Sequence, residues 1–137
     1  IPLPENSIDA MTLHNSFEHF EDDADIGFVK EASRLLRQGG KTCIIPLFMS
    51  DEFYVGTSIA EILREDRIPN FDMVEKVYCN SKSKEHEYPV FSMHYDAESL
   101  VTRIIEPFSK FYKFKVFFYK DDKQLLSCPF SLLMTKL

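Results

Sequence analysis

Apolar positions along this chain follow two spacings, and the change from one to the other marks its elements. Ile8 to Leu13 is a short, mostly apolar run between polar flanks, the pattern of a strand buried on both faces. From Ala24 to Arg37, the residues Phe28, Val29, Ala32, Leu35 and Leu36 recur at i, i+1, i+4, i+7 and i+8. That is a one-sided helical stripe. Asp22 and Asp23 suit the start of this helix, Arg34 and Arg37 suit its last turn, and Gly39-Gly40 offers a left-handed stop. Lys41 to Pro46 then reads as a second strand. Two strands joined by a helix should lie parallel through a right-handed crossover.

Residues 47–92 read as an insertion within a single domain of residues 1–137. Ser58 with Glu61 fits a capping box and predicts a small helix over 58–66. Val74 to Cys79 and Val90 to Tyr95 are β-prone and predict a hairpin around a polar loop. Asp96 is a helix cap, Leu100, Val101, Ile104, Ile105 and Phe108 give the next helical face, and Pro107 marks its end. Tyr112 to Lys120 alternates Phe114, Val116 and Phe118 with Lys113 and Lys115, as a strand does. A DDKQ turn follows, and Phe130 to Leu137 is a last strand. The class is α/β.

Composition narrows the function. The 137 residues are 45% hydrophobic and 28% charged, as in ordinary globular domains. A formal charge of −6 gives no broad attraction to nucleic acid, so such a partner is not expected. No apolar run approaches the ~18 residues of a membrane span. Cys43, Cys79 and Cys128 are odd in number and lack CxxC spacing, which points to reduced thiols, a cytoplasmic setting and no zinc.

The first forty residues also carry an ordered set of motifs. Leu3-Pro4, Ile8-Asp9, the Glu18-His19 pair and the run Arg34-Leu35-Leu36-Arg37-Gln38-Gly39-Gly40 before a short apolar strand follow one another at fixed spacing. This stretch closely resembles the middle of class I S-adenosylmethionine-dependent methyltransferases, with Ile8 in place of the usual aromatic and Gln38 in place of the usual proline. The resemblance implies a Rossmann-like methyltransferase fold whose last strand inserts antiparallel between the fifth and sixth. In the family, a glycine-rich loop and a ribose-binding acid lie upstream of the Leu-Pro pair. The four glycines here form no GxGxG or GxGxxG pattern. The expectation is therefore the C-terminal part of such a fold, cut or processed upstream and inactive by itself.

The resemblance implies S-adenosylmethionine as cofactor and a small molecule or glycan as methyl acceptor. It places Leu3 and Pro4 beside the adenine ring, and His14, Asn15 and Ser16 beside the methionine part and the acceptor pocket. Histidine suits a base near neutral pH, so His14 and then His19 are the catalytic candidates, although either can simply hold the loop in shape. Asp9, at the amino end of its strand, reads as structural, because ligands of open α/β sheets bind beyond the carboxyl ends. The insertion's aromatic residues suit a lid or a packed subdomain. His86 and His94, with Glu85 and Glu87, read as solvated charge in preference to a metal site. A different class of function is a non-catalytic module that lacks the cofactor half. Another α/β enzyme, such as a dehydrogenase, is disfavoured by the resemblance alone. With no first strand of the family fold in the chain, Ile8–Leu13 is expected to be an open edge. It would take the missing half of the fold or a second copy.

Overall fold

The computed structural model describes residues 2–56, 91–119 and 129–137. Four strands form the main sheet: β1 (Ile8–His14), β2 (Leu36–Ile45), β5 (Tyr112–Phe118) and β6 (Phe130–Lys136). Their order is β1-β2-β6-β5. The first two strands are parallel, and β6 is antiparallel to both of its neighbours. The last strand thus inserts between β2 and β5, as the motif order implied. A separate pair, β3 (Tyr54–Gly56) and β4 (Ser92–His94), is antiparallel.

Pleating gives the sheet two unlike faces. Thr42 and Ile44 stand in register with Met134 and Leu132, and all four are fully buried. Helix α1 (Ala24–Leu35) and the helical stretch 97–108 supply the cover, with Val29, Ile104 and Tyr112 in the same cluster. On the reverse face Lys41, Lys113 and Lys115 are exposed, and Cys43 and Leu133 are half-buried. Ile8–Leu13 is accordingly not buried on both faces. Ala10 and Thr12 are exposed and Met11 and Leu13 are half-buried, because among the described residues β1 is the outermost strand and only one face carries helices.

The turn into β2 also differs from the simplest reading. Helix α1 ends at Leu35, and the left-handed Gly39 (φ 76°) lies in a bulge, not at the helix cap. Ile8 pairs with Leu36 and Ala10 with Lys41, so four residues oppose Asp9 alone. Only a glycine fits at 40: a Cβ there would lie 2.8 Å from the Arg37 carbonyl oxygen and 3.1 Å from that of Asp9. The regular ladder starts at Lys41, where the sequence places the strand.

Asp96 caps the next helix, its Oδ1 accepting from the Ser99 amide at 2.6 Å. That helix ends at Phe108, one residue past Pro107: Ala97–Leu100 (α2) is α-helical, Val101–Ile105 is a π-helical turn, and Glu106–Phe108 (α3) completes it. Pro107 cannot donate and crowds the carbonyl four residues before it, and the widened turn relieves that conflict. The helix predicted at 58–66 and the Val74–Cys79 strand lie outside the described residues, as do His86, Glu85 and Glu87. The described partner of Ser92–His94 is Tyr54–Gly56, a strand the periodicity did not reveal.

Candidate functional site

The carboxyl end of β1 opens into a tight polar loop. Asn15 adopts a left-handed conformation (φ 49°), and its amide N–H donates to the Ile45 carbonyl at 3.1 Å, so the loop stays fastened to the end of β2. Ser16 Oγ donates back to the His14 carbonyl at 2.9 Å. Phe17–His19 then forms one 3-10 turn. Phe17 is buried against Phe20, Phe28 and Tyr95, and this aromatic packing sets where the turn sits.

The two candidate histidines differ in what their rings can do. The Asn15 side-chain nitrogen lies 3.1 Å from His14 Nδ1 and donates to it, which leaves the ring proton on Nε2. In this arrangement His14 presents a donor outward. His19 is held the other way round, with Nδ1 2.5 Å from the Phe91 carbonyl oxygen. A carbonyl only accepts, so Nδ1 carries the proton and Nε2 keeps its lone pair. That nitrogen lies 3.6 Å from Glu18 Oε1, and the His19 side chain is 44% exposed whereas Glu18 is 4% exposed. The other Glu18 oxygen, Oε2, is buried without a hydrogen-bond partner among the described residues. Glu18 is the residue that sequence reasoning passed over; the Glu-His pair was its only signal.

His14, Asn15, Ser16 and His19 therefore gather at one end of β1. Leu3 and Pro4 do not join them. The Leu3 carbonyl accepts from Arg34 at 3.0 Å, and the next residues run beside the end of α1, Asn6 N–H donating to the Arg34 carbonyl. They precede the amino end of β1, a strand of seven residues that spans roughly 20 Å. Asp9 is paired with Arg37 at 2.9 Å in the open, a structural contact.

Little else among the described residues offers chemistry. No group of three or more metal-ligating side chains occurs among them. His94 is buried, stacked on Tyr54 at 4.2 Å and within 3.0 Å of Ser92 Oγ, which is packing and not solvated charge. Burial pushes the Cys43 thiol up, away from a reactive thiolate. No helix among the described residues is long and apolar enough to cross a membrane.

Comparison with known proteins bears on the fold. Residues 1–44 match the family model of a methyltransferase domain. The chain is similar to a solved S-adenosylmethionine-dependent methyltransferase, "possible histamine N-methyltransferase", of Thermotoga maritima. The identity is 20%, the TM-score 0.50, and the match covers 100% of this chain and 60% of that one. A second S-adenosylmethionine-dependent methyltransferase, from Methanosarcina mazei, matches at 13% identity and TM-score 0.50, over 100% of this chain and 63% of that one. At such identities the likeness is one of fold. The chain thus spans under two thirds of the length of either structure. No curated protein matches it.

Proposed function

We propose that this chain, whose fold is that of the class I S-adenosylmethionine-dependent methyltransferases, supplies the acceptor side of a methyl-transfer site at the carboxyl end of β1. The observation that carries the proposal is the disposition of His19. Its Nδ1–H is fixed on the Phe91 carbonyl and its Nε2 is open beside the buried Glu18 carboxylate. A hydroxyl or amine acceptor gives up a proton when it is methylated, and Nε2 can receive it. The imidazolium so formed lies next to a carboxylate. His14 takes the positioning role, its Nε2–H donating to a ligand oxygen, and Asn15 and Ser16 offer further polar atoms. This order reverses the one the sequence suggested.

S-adenosylmethionine supplies an electrophilic methyl group when bound. The residues present fit one end of it. The His14–Ser16 turn offers polar groups beyond a parallel strand, where ligands of such sheets bind. Leu3 and Pro4, before the opposite end of β1, do not contribute to the same contact in this geometry. The chain holds no glycine-rich pattern for the rest of the cofactor. We accordingly assign the β1 edge to a strand that carries such a loop. In its favour, Ile8–His14 has a neighbour on one side only among the described residues and contains no lysine, arginine or proline. That the acceptor is a small molecule or a glycan rests on the family resemblance, and the loop that would meet it is polar, with His14, Asn15 and His19 exposed. An amine agrees with the words attached to the Thermotoga structure. The cysteine pattern supports a cytoplasmic setting.

The test, run with the chain joined to the glycine-loop strand assigned to its β1 edge, is transfer of an isotopically labelled methyl group to a panel of amines, hydroxyl compounds and oligosaccharides. His19→Ala should lower turnover about 100-fold at saturating acceptor, the usual loss for a missing base. His14→Ala should act chiefly on KM. A His19→Ala rate equal to that of the wild type removes the base from this account.

A further inference from the structure

Exposed apolar side chains are concentrated at the opposite edge of the sheet. Seven large hydrophobic residues are exposed among those described, and five of them, Phe111, Val116, Phe118, Tyr119 and Leu137, lie on β5 or beside it. Among the described residues this strand is the outer edge of the sheet, paired only with β6. Lys113 and Lys115 alternate with its aromatic residues, and Lys115 Nζ already lies over the Phe117 ring, 4.5 Å from its centre.

The backbone fixes which residues are free to pair. Tyr119 N–H donates to the Pro129 carbonyl at 2.8 Å and Leu137 N–H donates to the Phe111 carbonyl at 2.9 Å. Odd-numbered residues of β5 therefore bond inward to β6. By the antiparallel alternation, the N–H and C=O groups of Tyr112, Phe114, Val116 and Phe118 point away from the sheet. They form an unsatisfied row.

We propose that β5 is a homodimer edge: two copies pair their β5 strands antiparallel about a two-fold axis at Val116, so that two four-stranded sheets become one. The register follows from the side chains. Centred on Val116, Lys115 faces Phe117 of the second copy and Lys113 faces Tyr119, so each lysine meets an aromatic ring face. On the other side Phe114 faces Phe118, and Val116 meets itself, covering the two exposed side chains Val116 and Phe118. Val116 opposite Val116 is a hydrogen-bonded pair, as its outward backbone groups require. Centring on Phe114 instead sets Lys113 against Lys115 twice, and like charges directly opposite repel. Centring on Tyr112 or Phe118 overlaps only the ends of the strands. Edge lysines ordinarily discourage pairing. Here a single register turns them into complementary contacts.

The experiment is sedimentation equilibrium of the 137-residue chain at micromolar concentration. The wild type should be a dimer. Val116→Pro removes an outward donor while leaving the bonds to β6 in place, and Val116→Lys sets two charges on the axis; both should give folded monomers. Val116→Cys gives a second, independent reading, because opposed residues with Cα atoms about 5.5 Å apart lie within disulfide reach of about 4.4–6.8 Å. It should couple to itself on oxidation, above the wild-type background, and Lys115→Cys should not. A wild-type monomer, or a dimer that both Val116→Pro and Val116→Lys leave intact, overturns the proposal. If those two variants fail to fold, failure of Val116→Cys to couple overturns it.

Discussion

Arg103 grips Asp25 with two hydrogen bonds, Nε to Oδ2 at 2.7 Å and Nη2 to Oδ1 at 2.8 Å, across 78 residues of sequence. The same carboxylate accepts from the Tyr95 hydroxyl, and Arg103 also donates to the Asp22 carbonyl. Asp25 is fully buried, and the Arg103 side chain is 25% exposed. Three elements meet here: the start of α1, the π-helical turn and the residue after β4. Tyr95 stacks on Phe17 at 5.9 Å, so the cluster stands directly behind the candidate loop.

Removing Arg103 leaves a buried carboxylate without its counter-ion, held by the Tyr95 hydroxyl and the Ile26 amide. Arg103→Ala should therefore lower stability by about 3 kcal/mol, the lower end of what a broken buried pair costs, since the arginine is partly solvated. Tyr95→Phe, which leaves the ion pair intact, should cost about 2 kcal/mol, as for a hydrogen bond to a charged group. Urea denaturation of the two variants checks the order. Equal, small losses would mean that the carboxylate is satisfied some other way.

Thr42 offers the opposite experiment. It sits on the covered face of β2, fully buried, with its hydroxyl oxygen unpartnered among the described residues. A buried hydroxyl without a hydrogen bond carries its desolvation cost uncompensated. Thr42→Val keeps the β-branched shape and should raise stability by about 1 kcal/mol. A fall in the denaturation midpoint would show that the hydroxyl is bonded after all.

Acid should act on α1 through Glu31. The Arg34 guanidinium, 2.6 Å from its carboxylate, holds the Glu31 carboxyl down at about 2, against an ordinary 4.5. A carboxyl depressed by folding stabilises above its unfolded pKa and loses that contribution as the pH falls through the folded value. The difference in stability between wild type and Glu31→Gln should thus be constant near neutrality. It should shrink as the pH drops from about 4.5 to about 2. The pair is half-buried at the surface and still reached by solvent, so added salt should shrink it as well. Stability curves at several pH values decide this, and a difference that grows in acid would reverse the assignment.

How much of this was legible in the sequence depended on whether a local signal existed. The stripe from Phe28 to Leu36 and the cap at Asp96 are local, and both elements stand where those residues put them. The place of Phe130–Lys136 between β2 and β5 came from the family resemblance, since alternation alone does not choose a neighbour. Tyr54–Gly56 escaped notice because three residues are too few for a period to register. Pro107 marks the helix end to within one residue, but nothing local announced the π-helical turn before it. Gly39 carries the positive φ that its type suggests, but register in the sheet, not the helix, demanded it. At the site, the residue types His14 and His19 were readable, yet which ring nitrogen is free depends on Asn15 and on the Phe91 carbonyl. The latter is 72 residues away. Glu18's burial likewise depends on packing beyond the loop, and no spacing announces it.

The measurement that bears most directly on the central claim, that ligand meets this chain at the carboxyl end of β1, is a two-dimensional amide NMR titration with S-adenosylmethionine. The account predicts weak, rapidly exchanging binding, because the glycine-rich part of the site is not in the sequence. Shifts should be concentrated at Asn15, Ser16, Phe17 and His19, while Leu3 and Glu5 stay unmoved. Shifts at Leu3 and Glu5 with none in the loop, or no change in the loop at millimolar ligand, would contradict it.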